Sequence, residues 1–195
     1  MQYKNIILRD MIEEDIEDYV RWFTVQTEWA KFDAPWEPIE PDESTQKSWT
    51  EYYNEVRNLS EDTLRWKFEI EVNGKHLGWV SSYLIDENYE WIASDIASKE
   101  ARRAIGINIC ENDFWSKGIG TNALEAFLRY YLNLGYQEIH TQTWAGNIRM
   151  LKVAEKLGFK TCHIRKEFRE VNGRRYDALT LVYHKTALST GILEN

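Results

Sequence analysis

Residues 110–136 read CENDFWSKGIGTNALEAFLRYYLNLGY and place two glycines, Gly118 and Gly120, directly ahead of an amphipathic helical pattern. A turn that opens a helix gathers backbone N–H groups without intrahelical partners, at the positive end of the helix dipole. Small residues let an anion come close to those groups, so the N–H groups of residues 116–121 are disposed to converge on one phosphate. The plain alternative is a tight helix entry and nothing more. The stripe Leu124, Phe127, Leu128 and Tyr131 accounts for the helix. It leaves two glycines flanking one residue, with Lys117 before and Thr121 after, without an explanation. Taken literally, residues 118–123 also fit the dinucleotide fingerprint G-x-G-x-x-A. That fingerprint follows a buried strand directly, whereas ENDFWSK intervenes here, and the next strand pattern ends in Trp and Gly rather than in an acid. The sequence holds no G-x-x-x-x-G-K-[ST], so a P-loop is excluded.

A second constellation is TEWAKFDAPWE, residues 27–37, in which Trp29, Phe32 and Trp36 alternate with Glu28, Asp33 and Glu37. Rings and carboxylates together attract cations, which makes Asp33, Trp36 and Glu37 candidates for binding an amine. The alternative is a lid whose rings only pack against a sheet. Cys110 and Cys162 read as small core residues, and His140 and His163 lie on strand patterns without metal-ligand spacing, so no metal site is expected.

The elements that must position these residues follow from periodicity. Residues 3–10 read as a strand and residues 12–23 as a helix carrying Ile12, Ile16, Tyr19, Val20 and Phe23 at helical spacing. All three prolines fall in a loop over residues 32–41, and a helix over residues 43–58 follows, with Ser44 or Thr45 as its cap. An Asn73-Gly74 turn joins two apolar strands, the first alternating through Trp66, Phe68, Ile70 and Val72. A strand over residues 102–110 precedes the glycine-led helix, which ends near Gly135. Residues 136–144 alternate as a strand. Residues 147–157 form a helix capped by Asn147 and ended by Gly158, and a hairpin around Asn172-Gly173 closes the chain. This order implies an α/β (α+β) domain whose central mixed, mostly antiparallel sheet is flanked by helices. No repeat or internal linker divides it, so residues 1–195 are expected to form one domain.

Net charge is −8, which argues against a nucleic-acid partner. Its distribution is lopsided: residues 10–62 hold sixteen acids and four bases, and residues 101–175 hold thirteen bases and seven acids. Two partners of opposite sign, or two solvated surfaces, both fit that split. The start turns acidic within ten residues, no apolar run spans a membrane, and two cysteines make no disulfide framework. A cytoplasmic protein without a membrane partner is the expectation.

The segment FWSKGIGTNAL resembles the acyl-CoA pyrophosphate loop of the GNAT superfamily of N-acetyltransferases, Q/R-x-x-G-x-G/A. Trp115 stands at the first position, a departure shared with the W-G-K-G-Y-A of the ribosomal-protein N-acetyltransferase branch. GNIRMLKVAEKLGF is similar to the superfamily's second motif, N-x-x-x-x-x-x-x-E-K-x-G-F, and WSKGIGT is also similar to aminoglycoside 6′-N-acetyltransferases. The likeness is specific over residues 104–183, and before that only the element order agrees. It implies a GNAT-like domain that takes acetyl-CoA, without metal, and acetylates a primary amine on a small cationic molecule, such as an aminoglycoside or polyamine, or on a protein N-terminus. It implies that Lys117, Gly118, Ile119, Gly120 and Thr121 offer backbone donors to the pyrophosphate. It further implies that Asn108, Ile109 and Cys110 pair with the pantetheine arm, and that Asn147 reaches that arm or the acetyl end. Lys117, Arg149, Lys152 and Lys156 would suit its three phosphates.

The likeness breaks where acid–base residues are expected. Ala104 stands where many relatives have Glu before Ile-Gly, and Ala154 stands where many have a Tyr acid before E-K-x-G-F. Glu111 is the nearest acid and the first candidate for general base, with Asp33 and Glu37 as further candidates and ordered water as the remaining route. The missing acids also keep a non-catalytic acetyl-CoA-binding module as an alternative. A homodimer is compatible with all of this and is not specified by it.

Overall fold

The computed structural model describes residues 1–37, 39 and 44–185. Part of the proline loop and the last ten residues therefore lie outside the described residues. Strands β1 (Gln2–Tyr3) and β2 (Ile6–Arg9) lead into α1 (Asp15–Thr24), a 3-10 turn (Thr27–Trp29), the four-residue α2 (Ala30–Asp33) and α3 (Thr45–Val56). Then come β3 (Lys67–Val72), β4 (Lys75–Ile85), β5 (Trp91–Ile92), β6 (Arg102–Ile109), α4 (Ile119–Asn133), β7 (Glu138–Trp144), α5 (Ile148–Lys156), β8 (Lys160–Val171) and β9 (Arg174–His184). The expected order holds, with three additions: the two-residue strands β1 and β5, and α2 inside what reads as loop. Strands of two residues carry too little alternation to register as a pattern. Trp66 falls outside β3 and is half exposed, so the first hairpin strand begins one residue later than its alternation suggests.

All nine strands join one sheet in the order β1-β2-β3-β4-β6-β7-β9-β8, with β5 added on β4. Every pair is antiparallel except β6–β7. One face packs Ile70, Val80 and Ile105 against Leu124, Phe127 and Tyr131 of α4. The other packs Trp79 against Tyr19 and Trp22 of α1, Trp29, and Val56 of α3. That second layer is where the tryptophan-rich first half of the chain goes. Cys110 is buried in it, as expected. Cys162 is not a core residue: it lies exposed on β8, the last strand of the sheet.

The aromatic layer encloses charge. Lys67 and Glu69 project into it from β3, on the face opposite Phe68. The Lys67 ammonium lies 4.3 Å from the ring centres of both Tyr19 and Trp49 and 4.7 Å from that of Tyr52, with Glu69 at 3.4 Å. His76 sits between carboxylates, with Nε2 at 3.0 Å from Glu69 and Nδ1 at 3.1 Å from Asp18 and 3.2 Å from Asp15. Arg9 holds Asp15 through two hydrogen bonds of 2.6 and 2.8 Å, and Arg21 holds Asp18. Burial alone would lower the pKa of His76, but hydrogen bonds to Asp18 and Glu69 and the charges of Glu69 and Asp15 outweigh it and raise it to about 9. A protonated imidazole and two arginines thus already neutralise these acids, which leaves the trio poorly suited to a metal ion.

A raised folded-state pKa favours the protonated fold. Stability from His76 is therefore full below pH 6.5 and lost as pH climbs through about 9. Such a shift corresponds to about 3 kcal/mol. Lys67, whose pKa burial lowers, acts in the opposite sense, so the difference against a variant is the informative quantity. Denaturant unfolding of the wild type and of His76→Gln at pH 6 to 10 should show the wild-type advantage shrinking by about that amount. An advantage constant across the range would mean that His76 is neutral in the fold.

Candidate active site between the diverging strands

Strands β6 and β7 meet at a single pair, Ala104 with His140. One residue on, the Thr141 hydroxyl rather than backbone bonds the Ile105 carbonyl at 2.8 Å. This side-chain contact stands beside the one paired position, where a further backbone ladder would run. Each half-sheet stays intact: β6 remains paired with β4 through Ile109, and β7 with β9 through Trp144. The divergence opens a cleft of about 690 Å³, walled by residues 106–109 on one side and 142–144 on the other.

One end of the cleft is closed by the start of α4. Gly118 is its N-cap residue with φ +80°, and Ser116 also lies in the left-handed region at φ +61°. A glycine cannot supply a capping oxygen, so the first N–H groups of this fifteen-residue helix have no side-chain cap. A Cβ built on Gly118 would meet nothing within 4 Å, and one on Gly120 only Ile107 and Ile109 at 3.8 and 3.9 Å. The cradle is open, donor-lined and faced by Arg149, Lys152 and Lys156 of α5. It therefore fits a pyrophosphate. Trp115, the residue that departs from the motif, donates its indole N–H to the Ile109 carbonyl at 2.7 Å. Its ring and that of Phe32 each lie 4.2 Å from the Arg149 guanidinium.

The same cleft carries acids. Asp33, Trp36 and Glu37 all line the cleft, as do Asn108, Ile109, Gly118, Gly120, Thr121 and Asn147. Lys117 and Ile119 do not: Ile119 is buried in the core and Lys117 lies over Phe114, so backbone is what they could offer. Cys110 is turned away as well, with its N–H bonded to Leu77 of β4 at 2.8 Å, which removes it from the set facing a cofactor. Asn147 caps α5 through the Met150 N–H at 3.0 Å and donates its amide to the Phe32 carbonyl at 2.7 Å. Trp144 donates to the same carbonyl at 2.9 Å, so two side chains from the β7–α5 corner hold α2 across the cleft.

Glu111, the expected base, is not among the residues that line the cleft. It is buried outside the cleft, taking hydrogen bonds from Arg21 at 2.7 Å, Lys75 at 2.8 Å and Trp22 at 3.0 Å. Burial alone would raise its pKa; the bonds from Lys75, Trp22 and Arg21 hold it below the ordinary carboxylate value. It ties α1 to the β3–β4 turn. Asp33 has the opposite character. It is exposed at the cleft, where partial desolvation, then the charge of Glu37, push its pKa up against the influence of Asn108. Arg165, Arg169, Glu90 and Gln142 line the cleft too and carry no local signature in the sequence, since they come together from β8, β7 and the turn between β4 and β5.

The sequence matches the acetyltransferase (GNAT) domain family over residues 5–160. The chain belongs to the GNAT acetyltransferase family. A curated relative from Methanocaldococcus jannaschii, described only as the uncharacterized protein MJ1062, is 28% identical over 158 residues. These make up 80% of this chain and 28% of that protein, so the chain spans under a third of its relative's length. Among solved structures, ribosomal-protein-S5-alanine acetyltransferase from Vibrio fischeri superposes with a TM-score of 0.70 at 18% identity, covering 96% of this chain and 97% of that one. Spermidine N-acetyltransferase from Vibrio cholerae, in complex with CoA and spermine, gives 0.66 at 20% identity, covering 92% and 95%. Likeness at these identities shows the GNAT fold, which the mixed nine-stranded sheet already displays.

Proposed function

We propose that residues 1–195 act as one acetyl-CoA-dependent N-acetyltransferase domain for a primary amine, with Asp33 as the proton acceptor. The observation that carries this reading is the cleft itself: split strands lined by both an uncapped helix N-terminus and a carboxylate of raised pKa. When bound, acetyl-CoA would supply the acyl group and leave as the free thiol. Its pyrophosphate belongs at residues 117–121, and its pantetheine arm beside Asn108 and Ile109, whose strand has one edge on β4 and the other toward the cleft. Backbone N–H groups on that free edge are suited to polarising a carbonyl.

An alkyl ammonium of pKa about 10.4 holds its proton at pH 7 by about 4.6 kcal/mol. Asp33, with Glu37 beside it, attracts the ammonium, and its raised pKa makes it a better proton acceptor than an ordinary carboxylate. Two free cysteines without a partner fit a cytoplasmic setting.

Acetyl-CoA should raise the melting temperature, by a stabilisation of about 2.7 kcal/mol at a hundredfold excess over Kd. It should also release free thiol in the presence of amines. A melt unmoved at millimolar acetyl-CoA would sink the cofactor assignment. A shifted melt without thiol release for any amine would favour the non-catalytic binding module.

A further inference from the structure

We propose that the acceptor is a peptide N-terminus with a carboxylate side chain within its first three residues, and that Arg169 reads that carboxylate. This rests on the amine-acetylating function above and narrows it. Arg165 and Arg169 of β8 line the same cleft as Asp33 and Glu37. Arg165 is ion-paired with Glu90. Arg169 has no acidic partner among the described residues. Its guanidinium lies 4.4 Å from the Trp36 ring centre and 4.5 Å from that of Phe168.

The placement is built by the fold. The β8–β9 register shifts between Arg165 and Arg169, where Glu167 takes φ +48°. Asp177 of β9 pins this bulge by accepting from the Glu167 N–H at 3.0 Å and from Lys166 at 2.8 Å. A bulge of this kind re-aims the side chains that follow it, here Phe168 and Arg169. A guanidinium packed on ring faces keeps its N–H edge free for an in-plane acceptor, the geometry a carboxylate fills with two hydrogen bonds.

The two charges of opposite sign set the length of the acceptor. Trp36 is three residues from Asp33, at most about 10 Å of chain, and Arg169 lies against Trp36. An amine at Asp33 and an acid at Arg169 can therefore belong to one molecule that spans up to a few residues, and the comparison with free glutamate below sets its lower limit. A polyamine would set its second positive charge against Arg169 and Arg165.

The test uses acetyl-CoA and hexapeptides that differ only at residues 2 and 3, carrying Asp, Asn or Lys, with glutamate and spermidine as further acceptors and CoA release as the readout. The Asp peptide should exceed the Asn peptide in kcat/KM by at least about tenfold, the worth of one charge-assisted contact, with the Lys peptide, glutamate and spermidine below both. Arg169→Glu should reverse the order of the Asp and Lys peptides, and Arg169→Lys should retain the Asp preference. The acetyl-CoA melting shift verifies the fold of each variant. Equal turnover of the Asp and Asn peptides, or an Asp preference that survives Arg169→Glu, overturns the proposal and leaves amine acetylation standing. Preferred turnover of glutamate or spermidine overturns it in favour of a small acceptor. Absence of turnover with every amine overturns the acetyltransferase reading and this proposal with it.

Discussion

Asp33→Asn is expected to lower kcat/KM for the amine by about 100-fold or more while leaving acetyl-CoA affinity within threefold, because general-base assistance contributes on the order of 10² to 10⁴. The substitution keeps shape and removes the proton acceptor. Bonds from Trp144 and Asn147 to the Phe32 carbonyl fix α2 so that residue 33 stands at the cleft, and the same loss in Glu37→Gln would show that Glu37 shares the role. A pH profile gives the second signature. The active form of Asp33 is the carboxylate, and its pKa lies above the ordinary 3.8, so the acid limb of wild-type kcat/KM should fall at a pH higher than that. The limb should disappear in Asp33→Asn. Steady-state kinetics over pH 4 to 8, varying the amine, measures both. A loss under threefold, or a limb that persists in the variant, would transfer the proton to ordered water.

The contrast between Asp33 and Glu111 marks the limit of what the sequence made legible. Local signals were readable: the αL glycine at 118, the Asn147 cap, the two Asn-Gly turns and the stripe of α4 each depend on residues close in the chain. The glycine turn ahead of α4 was readable for the same reason, being one contiguous segment. Glu111 looked available because Arg21 and Lys75, which occupy it, lie 90 and 36 residues away. Asp33 looked like one surface acid among sixteen, and only the folding of α2 against β6 gives it cleft walls and Asn108. Cys162 looked like core because strand alternation does not reveal which strand ends the sheet. Arg169 carried no signal at all, since its meaning comes from a bulge set by Asp177 on the partner strand.

Gly120→Asp should weaken acetyl-CoA binding by at least about 100-fold, roughly 2.7 kcal/mol, with the fold retained. Gly120 lies in the first turn of α4, inside the cradle, where the helix dipole and its free N–H groups favour negative charge. A carboxylate there is itself stabilised by that field, so the folded chain tolerates it. Its Cβ would meet Ile107 and Ile109 only at ordinary contact distance, and Gly120 has no positive φ to strain. The same carboxylate would occupy the donors a pyrophosphate needs and repel the phosphates at close range. Substituting Gly118 would be less informative, because φ +80° penalises any side chain and would mix strain with binding. Isothermal titration with acetyl-CoA, alongside a melt of the free protein, separates affinity from stability. Raising salt should recover part of the lost affinity if repulsion dominates, and none of it if the side chain merely blocks the backbone. Affinity preserved within threefold would place the phosphates away from the α4 N-terminus.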